Sequence, residues 1–423
     1  MKKSFMGKLF LLFLAMLFIP INFTPIQSAR PTHLRVGLVD RFSGRGSIGI
    51  DNTAIRVGAS AIHSSSGFTV RPYGSYQIVI YGDGVRSVMH SSTQVHDAYG
   101  NMISLEGTPY RGAMEFMLAG GGITAVNIVS IEEYLFSVVP SEMPATWHPE
   151  ALKAQAVAAR TYAWRLMERG GTHVDFDLCN MVCCQVYRGA EWEHENSTEA
   201  VLATAGQGIF FNGELIEAVY FASSGGVTEN SENVWTEARP YLRSLPDIHE
   251  FEPVIWTRTF TLSEINSLLA QNNRSIGSAT GVSIGGVHPS GRVMSLIIHG
   301  TAGQVVLERE EIRTFFSGSA GGSLQSRNFV MGATAAQPGS ISVFDGNQVI
   351  DVLMQGASIQ AAHGIITYQE QGQAAPVSGD IIMSGRGFGH GVGMSQRGAE
   401  GMARRGYTFR DILTHFYSGT TIH

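Results

Sequence analysis

The sequence has few cysteines, few charged residues and no extended basic run, and each shortage excludes a class of protein. Three cysteines, all within positions 179–184 of a 423-residue chain, are too few and odd in number for a disulfide-framed scaffold. Charged residues make up 15% of the chain without an arginine- or lysine-rich helix or patch, so we expect no nucleic-acid partner. Beyond the N-terminus, no apolar run is long enough to cross a membrane.

The N-terminal 29 residues have the three-part layout of an export signal. Three lysines precede an apolar run over 9–19, Pro20 closes that run, and the small residues Ser28 and Ala29 follow. Eleven apolar residues are short for a bilayer span, but the run reaches position 23 if Pro20 is tolerated, so an uncleaved membrane anchor is the alternative. We predict an exported protein of the cell envelope, secreted or anchored, whose membrane association runs through this segment alone.

The rest of the chain predicts an α+β protein. Short apolar or alternating runs between turn residues indicate a β-rich region over 31–130. An alanine-rich run over 150–169 follows Pro149 and ends at two glycines, which predicts a buried helix. Shorter helices are expected over 262–271, 395–405 and 408–416. We therefore predict a β-rich mixed fold around a buried alanine-rich helix, with a smaller β-rich accessory domain.

Glu142 is the first candidate for chemistry. It lies between Pro140 and Pro144, and the two prolines predict a stiff loop held out of a helix. If apolar neighbours such as Met143 and Trp147 desolvate it, its pKa rises, as a general acid requires. Position alone favours a solvated loop glutamate or a helix-capping group instead.

Six motifs in a fixed order favour a catalytic role for Glu142 over these alternatives. They are VPSEMP at 139–144, ALKAQAVAARTYA at 151–163, CQVYRG at 184–189, YFASSGG at 220–226 with Thr228, Glu229 and Trp235 behind it, PYL at 240–242, and GRGFGHGVGMSQRGA at 385–399. The ordered set resembles the stage II sporulation protein D / amidase enhancer family (SpoIID/LytB). The resemblance is strong over roughly 130–250, 288–330 and 380–420, and weaker over 31–130.

The resemblance implies a lytic transglycosylase acting on peptidoglycan strands stripped of their stem peptides, with cell-wall remodelling during sporulation as the family's best-known setting. Such an enzyme needs one carboxyl group, because the C6 hydroxyl of N-acetylmuramic acid attacks its own anomeric carbon and leaves a 1,6-anhydro end. Hydrolases usually need two carboxylates. Glu142 matches the family's catalytic glutamate by motif. If the products were those of hydrolysis, Glu229 would be a candidate second carboxylate.

Further residues are candidates for substrate binding. A buried arginine in an alanine-rich helix needs a partner. We expect Arg160 to orient Glu142 or to bind sugar or lactyl oxygens, and the alternative is a structural ion pair with another loop carboxylate. The glycine-dense loop around His390 permits close backbone approach to a sugar, with a packing turn as the alternative. The predicted substrate-binding residues are Arg160, Tyr220, Ser223, Ser224, His390 and Gln396.

The cysteine loop has three readings. Family members often carry cysteine at the positions of Cys179 and Cys184, with histidine just before the second, and some bind zinc there. Here Cys183 takes the histidine position, and thiolate is also a zinc ligand. Three possibilities remain open: a structural zinc ion bound by the three cysteines and His173 (or His194), a Cys179–Cys184 disulfide, and free thiols. No cofactor is required for the predicted reaction.

The motifs divide the chain into six segments. These are 1–29, the signal peptide or anchor; 30–125, an N-terminal β-rich region; 126–250, the SpoIID-type catalytic core; 251–331, a β-rich second lobe; 332–379, an insertion of open role; and 380–423, a glycine-rich motif and helix that complete the core.

Two functions from different classes fit the sequence. The leading prediction is a peptidoglycan lytic transglycosylase with Glu142 as its acid and base. The alternative is a non-catalytic, wall-binding enhancer of an N-acetylmuramoyl-L-alanine amidase, which shares most of the motifs. A purely structural envelope protein is the third reading. The expected partners are glycan strands and, for the second reading, the amidase.

Overall fold

The computed structural model describes residues 30–332, four strands between positions 340 and 367, residue 377 and residues 379–423. The predicted signal segment, 1–29, lies outside the described residues. So does most of the predicted insertion, where two antiparallel hairpins are described. These pair Ser340–Phe344 with Val349–Leu353 and Ser358–Ala361 with Gly364–Thr367.

Twelve strands precede the first helix of the described chain, and groups of helices and strands follow it, which confirms the predicted α+β class. The seven described α-helices are α1 (Ile131–Glu142), α2 (Pro149–Glu168), α3 (Glu195–Ala203), α4 (Leu262–Gln271), α5 (Glu311–Phe315), α6 (Gln396–Ala403) and α7 (Phe409–Phe416). All four helices predicted from the sequence are present, within two residues at each end. In the described ranges, no helix has both the length and the apolarity to span a bilayer.

Two larger sheets occupy the N-terminal part of the chain. One has seven strands, in the order Leu178–Cys179, His33–Gly37, Gly122–Ser130, Ala113–Ala119, Gln94–Asp97, Ala54–Val57 and Ser60–His63. The other has six strands, in the order Thr108–Tyr110, Ile103–Leu105, Ile48–Ile50, Phe68–Tyr73, Gln77–Gly82 and Val85–His90. The pairing of Leu178–Cys179 with His33–Gly37 is parallel and the others are antiparallel.

Smaller sheets complete the fold. One contains Glu214–Leu215, Ile209–Phe211 and Thr421–Ile422, and another is the parallel pair of Tyr220–Phe221 with Met394–Ser395. A third contains Ile255–Phe260, Ile381–Arg386 and Phe329–Gly332, and a fourth contains Ala279–Val287, Val293–Gly300 and Gly303–Glu308. The buried apolar side chains form two clusters. One joins the N-terminal sheets to α1, α2, α6 and α7, and the other fills the lobe around α4 and α5.

The alanine-rich helix α2 is buried, as predicted. Pro149 occupies its first turn, and the ring of His148 caps it by accepting a hydrogen bond from the Glu150 amide (3.2 Å). Gly170 and Gly171, both with positive φ, follow its C-terminus. Because alanine has no bulk beyond Cβ, neighbouring helices α1, α3, α6 and α7 pack close to the α2 backbone.

The segment around Glu142 differs from the prediction. Glu142 is the last residue of α1, and Pro140 lies inside that helix rather than keeping the chain out of it. A proline removes one helical hydrogen bond, but Ile131 and every residue from 134 through 139 of α1 are buried, so tertiary packing outweighs the local cost. Pro144 ends the helix, because it restricts Met143 to the extended conformation that Met143 adopts (φ −136°, ψ 135°).

An ion pair joins α1 to α2. The fully buried Arg160 donates two hydrogen bonds to the carboxylate of Glu132 (2.6 and 3.0 Å) and others to the carbonyls of Val201 and Gln207. Glu132 is in the first turn of α1 and Glu142 is ten residues later, which at helical rise puts them about 15 Å apart. Arg160 therefore fixes the helix that carries Glu142 and does not touch its carboxylate.

Replacing Arg160 by Met tests this role. The change leaves Glu132 without its cation, and we expect the free energy of unfolding to fall by about 3 kcal/mol. The double variant R160M/E132Q should lose less, because no uncompensated charge remains. Chemical denaturation measures all three. Arg165→Met in the same helix is the control, since its ion pairs are longer and more exposed, and it should cost under about 1 kcal/mol. Equal losses for Arg160 and Arg165 would contradict the assignment.

Candidate functional site

Three of the predicted catalytic and substrate-binding residues meet at one pocket. Glu142, Tyr220 and His390 line a cavity of about 400 Å³ whose wall also includes Trp235 and Glu217. Cys183 and Cys184 lie on the same wall. The parallel pairing of Tyr220–Phe221 with Met394–Ser395 brings the YFASSGG and GRGFGHGVG motifs together at this pocket.

The carboxyl group of Glu142 is held on one side and open on the other. Its Oε1 accepts a hydrogen bond from the Val186 amide (2.8 Å), while Oε2 accepts none from the described residues. Burial raises the pKa of Glu142, opposed by the Val186 hydrogen bond and by the positive charge of Arg188. The C-terminal end of α1 also disfavours a negative charge there. The site thus favours a carboxyl group that keeps its proton to higher pH.

A chain of hydrogen bonds orients Tyr220 beside Glu142. The Gln185 side chain accepts from the Tyr134 hydroxyl (3.2 Å) and donates to the Tyr220 hydroxyl (3.0 Å) and to the Ala159 carbonyl. Because the Tyr220 oxygen accepts from Gln185, its own proton is free to be donated within the pocket. Burial and the charge of Glu142 raise the Tyr220 pKa, so the hydroxyl remains protonated.

His390 contributes a ring rather than a proton-transfer group. Its Nδ1 accepts from the Val392 amide (3.1 Å), so Nε2 carries the proton and donates to the Tyr220 carbonyl (3.1 Å). Burial lowers the His390 pKa to about 4, and the ring is therefore neutral near pH 7. The ring contacts Phe221 and Trp235, with centroids 5.4 and 5.1 Å away. Both nitrogens are used within the protein, so a sugar can meet only the ring surface.

Ser223 and Ser224 are placed inside the protein, not along a groove. Their hydroxyls donate to the two oxygens of Glu250 (2.6 and 3.0 Å), and the amides of Gly225 and Gly226 donate to the same carboxylate. Both serines are almost fully buried. The direct sugar contact predicted for these serines does not match this geometry, because each hydroxyl is buried and already donates its hydrogen to Glu250. Glu250, which the sequence did not single out, organises the motif.

Gln396 and Arg160 also act from within the protein. Gln396 donates to the backbone carbonyl of Glu142 (2.9 Å) and to the Gln155 side chain (3.3 Å), and it is nearly inaccessible to solvent. Arg160 is occupied by Glu132, which corresponds to the ion-pair alternative for this residue. Neither lines the pocket, so both position Glu142 instead of binding a sugar directly.

The glycines of the C-terminal loop are needed for packing. Gly391 has φ +89°, and a Cβ there would lie 2.5 Å from the guanidinium of Arg292. That fully buried arginine comes from the second lobe and donates to the carbonyls of Ser224 and Val227. At Gly389 (φ +110°), a Cβ would meet Phe221. The loop is thus fixed by close contacts with the YFASSGG turn and the second lobe.

The cysteine loop gathers four possible metal ligands. The three thiols and a ring nitrogen of His173 all lie within 4.8 Å of one another, and the cysteines form no disulfide. Cys179 Sγ is 2.9 Å from Cys183 Sγ, and Cys184 Sγ is 3.6 Å from His173 Nε2. Three thiols and an imidazole are a donor set that zinc prefers. Tetrahedral zinc places its sulfur ligands about 3.8 Å apart, so Cys179 and Cys183 would have to separate from 2.9 Å to bind it. His194, the alternative fourth ligand, instead caps α3.

Sequence reasoning missed several residues of the pocket wall. Tyr162 lies in the alanine-rich motif but was not among the predicted site residues, and Glu217 belongs to no motif. Glu217 is the second carboxylate of the pocket and is ion-paired with Arg239 (3.2 Å) and Arg169 (3.6 Å). Glu229, the candidate second carboxylate for hydrolysis, does not line this pocket. It is buried and accepts hydrogen bonds from Ser290 and Asn233. Spacing along the chain carried no signal for Glu217, because only the fold brings it beside Glu142.

Comparison with known proteins decides the family. The family model "Stage II sporulation protein" matches residues 119–211, which contain α1, α2 and the cysteine loop. Stage II sporulation protein D of Bacillus subtilis (strain 168) is 32% identical over 317 residues, covering 70% of this chain and 76% of that protein. The chain belongs to the stage II sporulation protein D family. Stage II sporulation protein D of Bacillus amyloliquefaciens is likewise 32% identical, over 321 residues covering 70% of this chain and 75% of that protein.

This family includes a relative with a different name. The amidase enhancer of Bacillus subtilis (strain 168) is 31% identical over 334 residues, which are 76% of this chain but 45% of the enhancer. A second model, a domain of unknown function, matches residues 252–347, the lobe that supplies Arg292. Membership of the stage II sporulation protein D family and the names of the relatives support a function connected with the cell wall.

Glu142→Gln tests the electrostatics of the pocket. Because burial raises the pKa of Glu142, the ionised form destabilises the fold above the ordinary carboxyl range near 4.5, and a neutral glutamine removes that cost. We expect the variant to be more stable than the wild type at pH 8, with the difference shrinking as pH falls to 4. Urea unfolding across this range measures it. Glu199→Gln, an exposed change in α3, should show no such trend; a pH-independent difference for Glu142→Gln would refute the argument.

Proposed function

We propose that the protein is a lytic transglycosylase that cleaves the bond between N-acetylmuramic acid and N-acetylglucosamine in peptidoglycan strands lacking stem peptides. The observation that carries the proposal is the Glu142 carboxyl group. Burial raises its pKa, the Val186 amide donates to one of its oxygens, and Glu142 lines a pocket of about 400 Å³. A group in this state suits proton donation to a glycosidic oxygen.

One carboxyl group accounts for both proton transfers. Glu142 donates its proton to the leaving oxygen as the bond from that oxygen to the anomeric carbon breaks. The C6 hydroxyl oxygen of the same muramic residue then bonds to the anomeric carbon, and its proton returns to Glu142. The 1,6-anhydro product forms without water, and the enzyme ends in its starting protonation state. Tyr220 lines the same pocket as Glu142 and keeps its hydroxyl proton, so it is placed to stabilise the carboxylate electrostatically while Glu142 is charged.

The family resemblance also supports an exported protein of the cell envelope that remodels the wall during sporulation. A second candidate function, enhancement of a cell-wall amidase without cleavage, is favoured by the likeness to the amidase enhancer. That role requires wall binding and a partner amidase but no proton donor. The two proposals differ in whether Glu142 is needed for cut strands.

The deciding assay uses purified protein, glycan strands without stem peptides and mass spectrometry of the products. Wild type should yield 1,6-anhydro-muramic ends, and Glu142→Gln should lower the rate at least about 100-fold, because the acid is lost. Cleavage should decline as pH rises through the raised pKa of Glu142, since the ionised form cannot donate.

Glu217→Gln is the matched control, since it removes the other carboxylate of the pocket. It should still give anhydro ends. Reducing ends that depend on Glu217 would indicate hydrolysis and overturn the transglycosylase. Intact strands in this assay, together with faster cleavage of peptide-bearing strands by an added amidase, would establish the enhancer instead.

We also propose that His173, Cys179, Cys183 and Cys184 bind a structural zinc ion. Its support is the donor set within 4.8 Å and the parallel strand pairing that anchors Cys179 to His33–Gly37. Bound zinc would fix the segment that leads from Cys184 to the Val186 amide, and thereby the orientation of Glu142. No step of the reaction passes through it.

Metal analysis of the purified protein should give one zinc per chain, and chelation should lower the thermal unfolding temperature by several degrees. His173→Ala should lose the metal, whereas His194→Ala, which removes only the cap of α3, should retain it. Full zinc content in His173→Ala would contradict the ligand assignment, and a protein mass two protons light without zinc would point to a disulfide.

A further inference from the structure

We infer that Arg188, stacked on Trp192 beside the Glu142 pocket, binds the lactyl carboxylate of N-acetylmuramic acid and so selects strands from which the stem peptide has been removed. The inference deepens the proposed function and rests on it. It assigns a specificity-determining contact to two residues outside the wall of the pocket.

Arg188 extends from the segment that holds Glu142. Val186, two residues earlier, donates its amide hydrogen to Glu142, and the Arg188 amide donates to Ser137 in the same helix (3.2 Å). Ser137 precedes Glu142 by five residues, about 7.5 Å along α1. Burial alternates in this segment, with Gln185 and Tyr187 inside, so the exposed Arg188 side chain lies on the solvent side next to the pocket.

The Arg188 guanidinium is oriented yet available. Its central carbon lies 4.0 Å from the centroid of the Trp192 ring, and this ring is 48% exposed. Stacking uses the face of the guanidinium and leaves its edge N–H groups free to bind an anion. Among the described residues, Arg111 and Arg160 are paired with Glu193 and Glu132, whereas Arg188 forms no ion pair with a described carboxylate. Its charge also reaches Glu142, whose pKa it lowers against the effect of burial.

The chemistry of the strand identifies the ligand. Each muramic residue carries a lactyl ether that ends in a carboxylate when no stem peptide is attached and in an amide when one is present. A guanidinium edge binds a carboxylate through two charge-assisted hydrogen bonds, and an amide offers neither the charge nor the second oxygen. The exposed indole of Trp192 adds an apolar face suited to a sugar ring. Arg188 therefore binds strands without stem peptides more tightly than strands that carry them.

The test measures binding, so that it does not depend on turnover. In a Glu142→Gln background, we would titrate muramic-containing strands without peptides, the same strands with peptides, and oligomers of N-acetylglucosamine alone. Adding Arg188→Gln should weaken binding of the peptide-free strands about tenfold, or about 1.4 kcal/mol, and leave the other two ligands unchanged. Arg188→Lys should recover part of the loss, because it keeps the charge without the paired donors.

Arg86→Gln is the control, since Arg86 is also exposed and stacked on an aromatic ring, that of Tyr73, in the N-terminal sheet. It should not alter any of the three affinities. Equal weakening of all ligands by Arg188→Gln, or no weakening, overturns the inference. Wild-type protein that cuts no strand would overturn the proposed enzyme, but the difference in affinity between the two muramic strands would still be measurable and would still decide the role of Arg188.

Discussion

The position of Glu142 depends on the burial of α1 against α2. Helix α1 is buried along most of its length, and the Arg160–Glu132 pair fixes its first turn against the alanine-rich helix. Its C-terminus then delivers Glu142 to the pocket, where Val186 binds the side chain and Gln396 binds the backbone carbonyl. A residue held through both its side chain and its backbone in this way loses little further freedom when a substrate binds.

Opposing influences set the proton affinity of that carboxyl group. Desolvation raises the pKa of Glu142, while the Val186 amide and the charge of Arg188 lower it. In the proposed reaction Glu142 donates a proton and then takes one back, and this needs such a balance, because an excess of either influence would block one of the two steps. The second pocket carboxylate, Glu217, is neutralised by two arginines and so adds little repulsion.

The second lobe contributes to the site without lining it. Arg292 reaches from that lobe to the carbonyls of Ser224 and Val227, and it packs against Gly391. Glu250 closes the same turn through the serine hydroxyls and glycine amides. These buried contacts place His390 and Tyr220 at the pocket. A buried polar group must find its hydrogen-bond partners within the protein, and this requirement fixes the conformation of the turn.

The sequence by itself determined the α+β class, the extent of α2 and the order of the motifs, because helix caps, alanine content and turn residues act locally. It also indicated Glu142 and the four groups of the cysteine loop. Only the tertiary structure decided that Pro140 lies inside a helix, that Arg160, Ser223, Ser224 and Gln396 are internal supports, and that Glu217 and Arg188 stand near Glu142. The physical reason is that burial and ion pairing depend on residues distant in the chain, and these energies outweigh local preference where the core is dense.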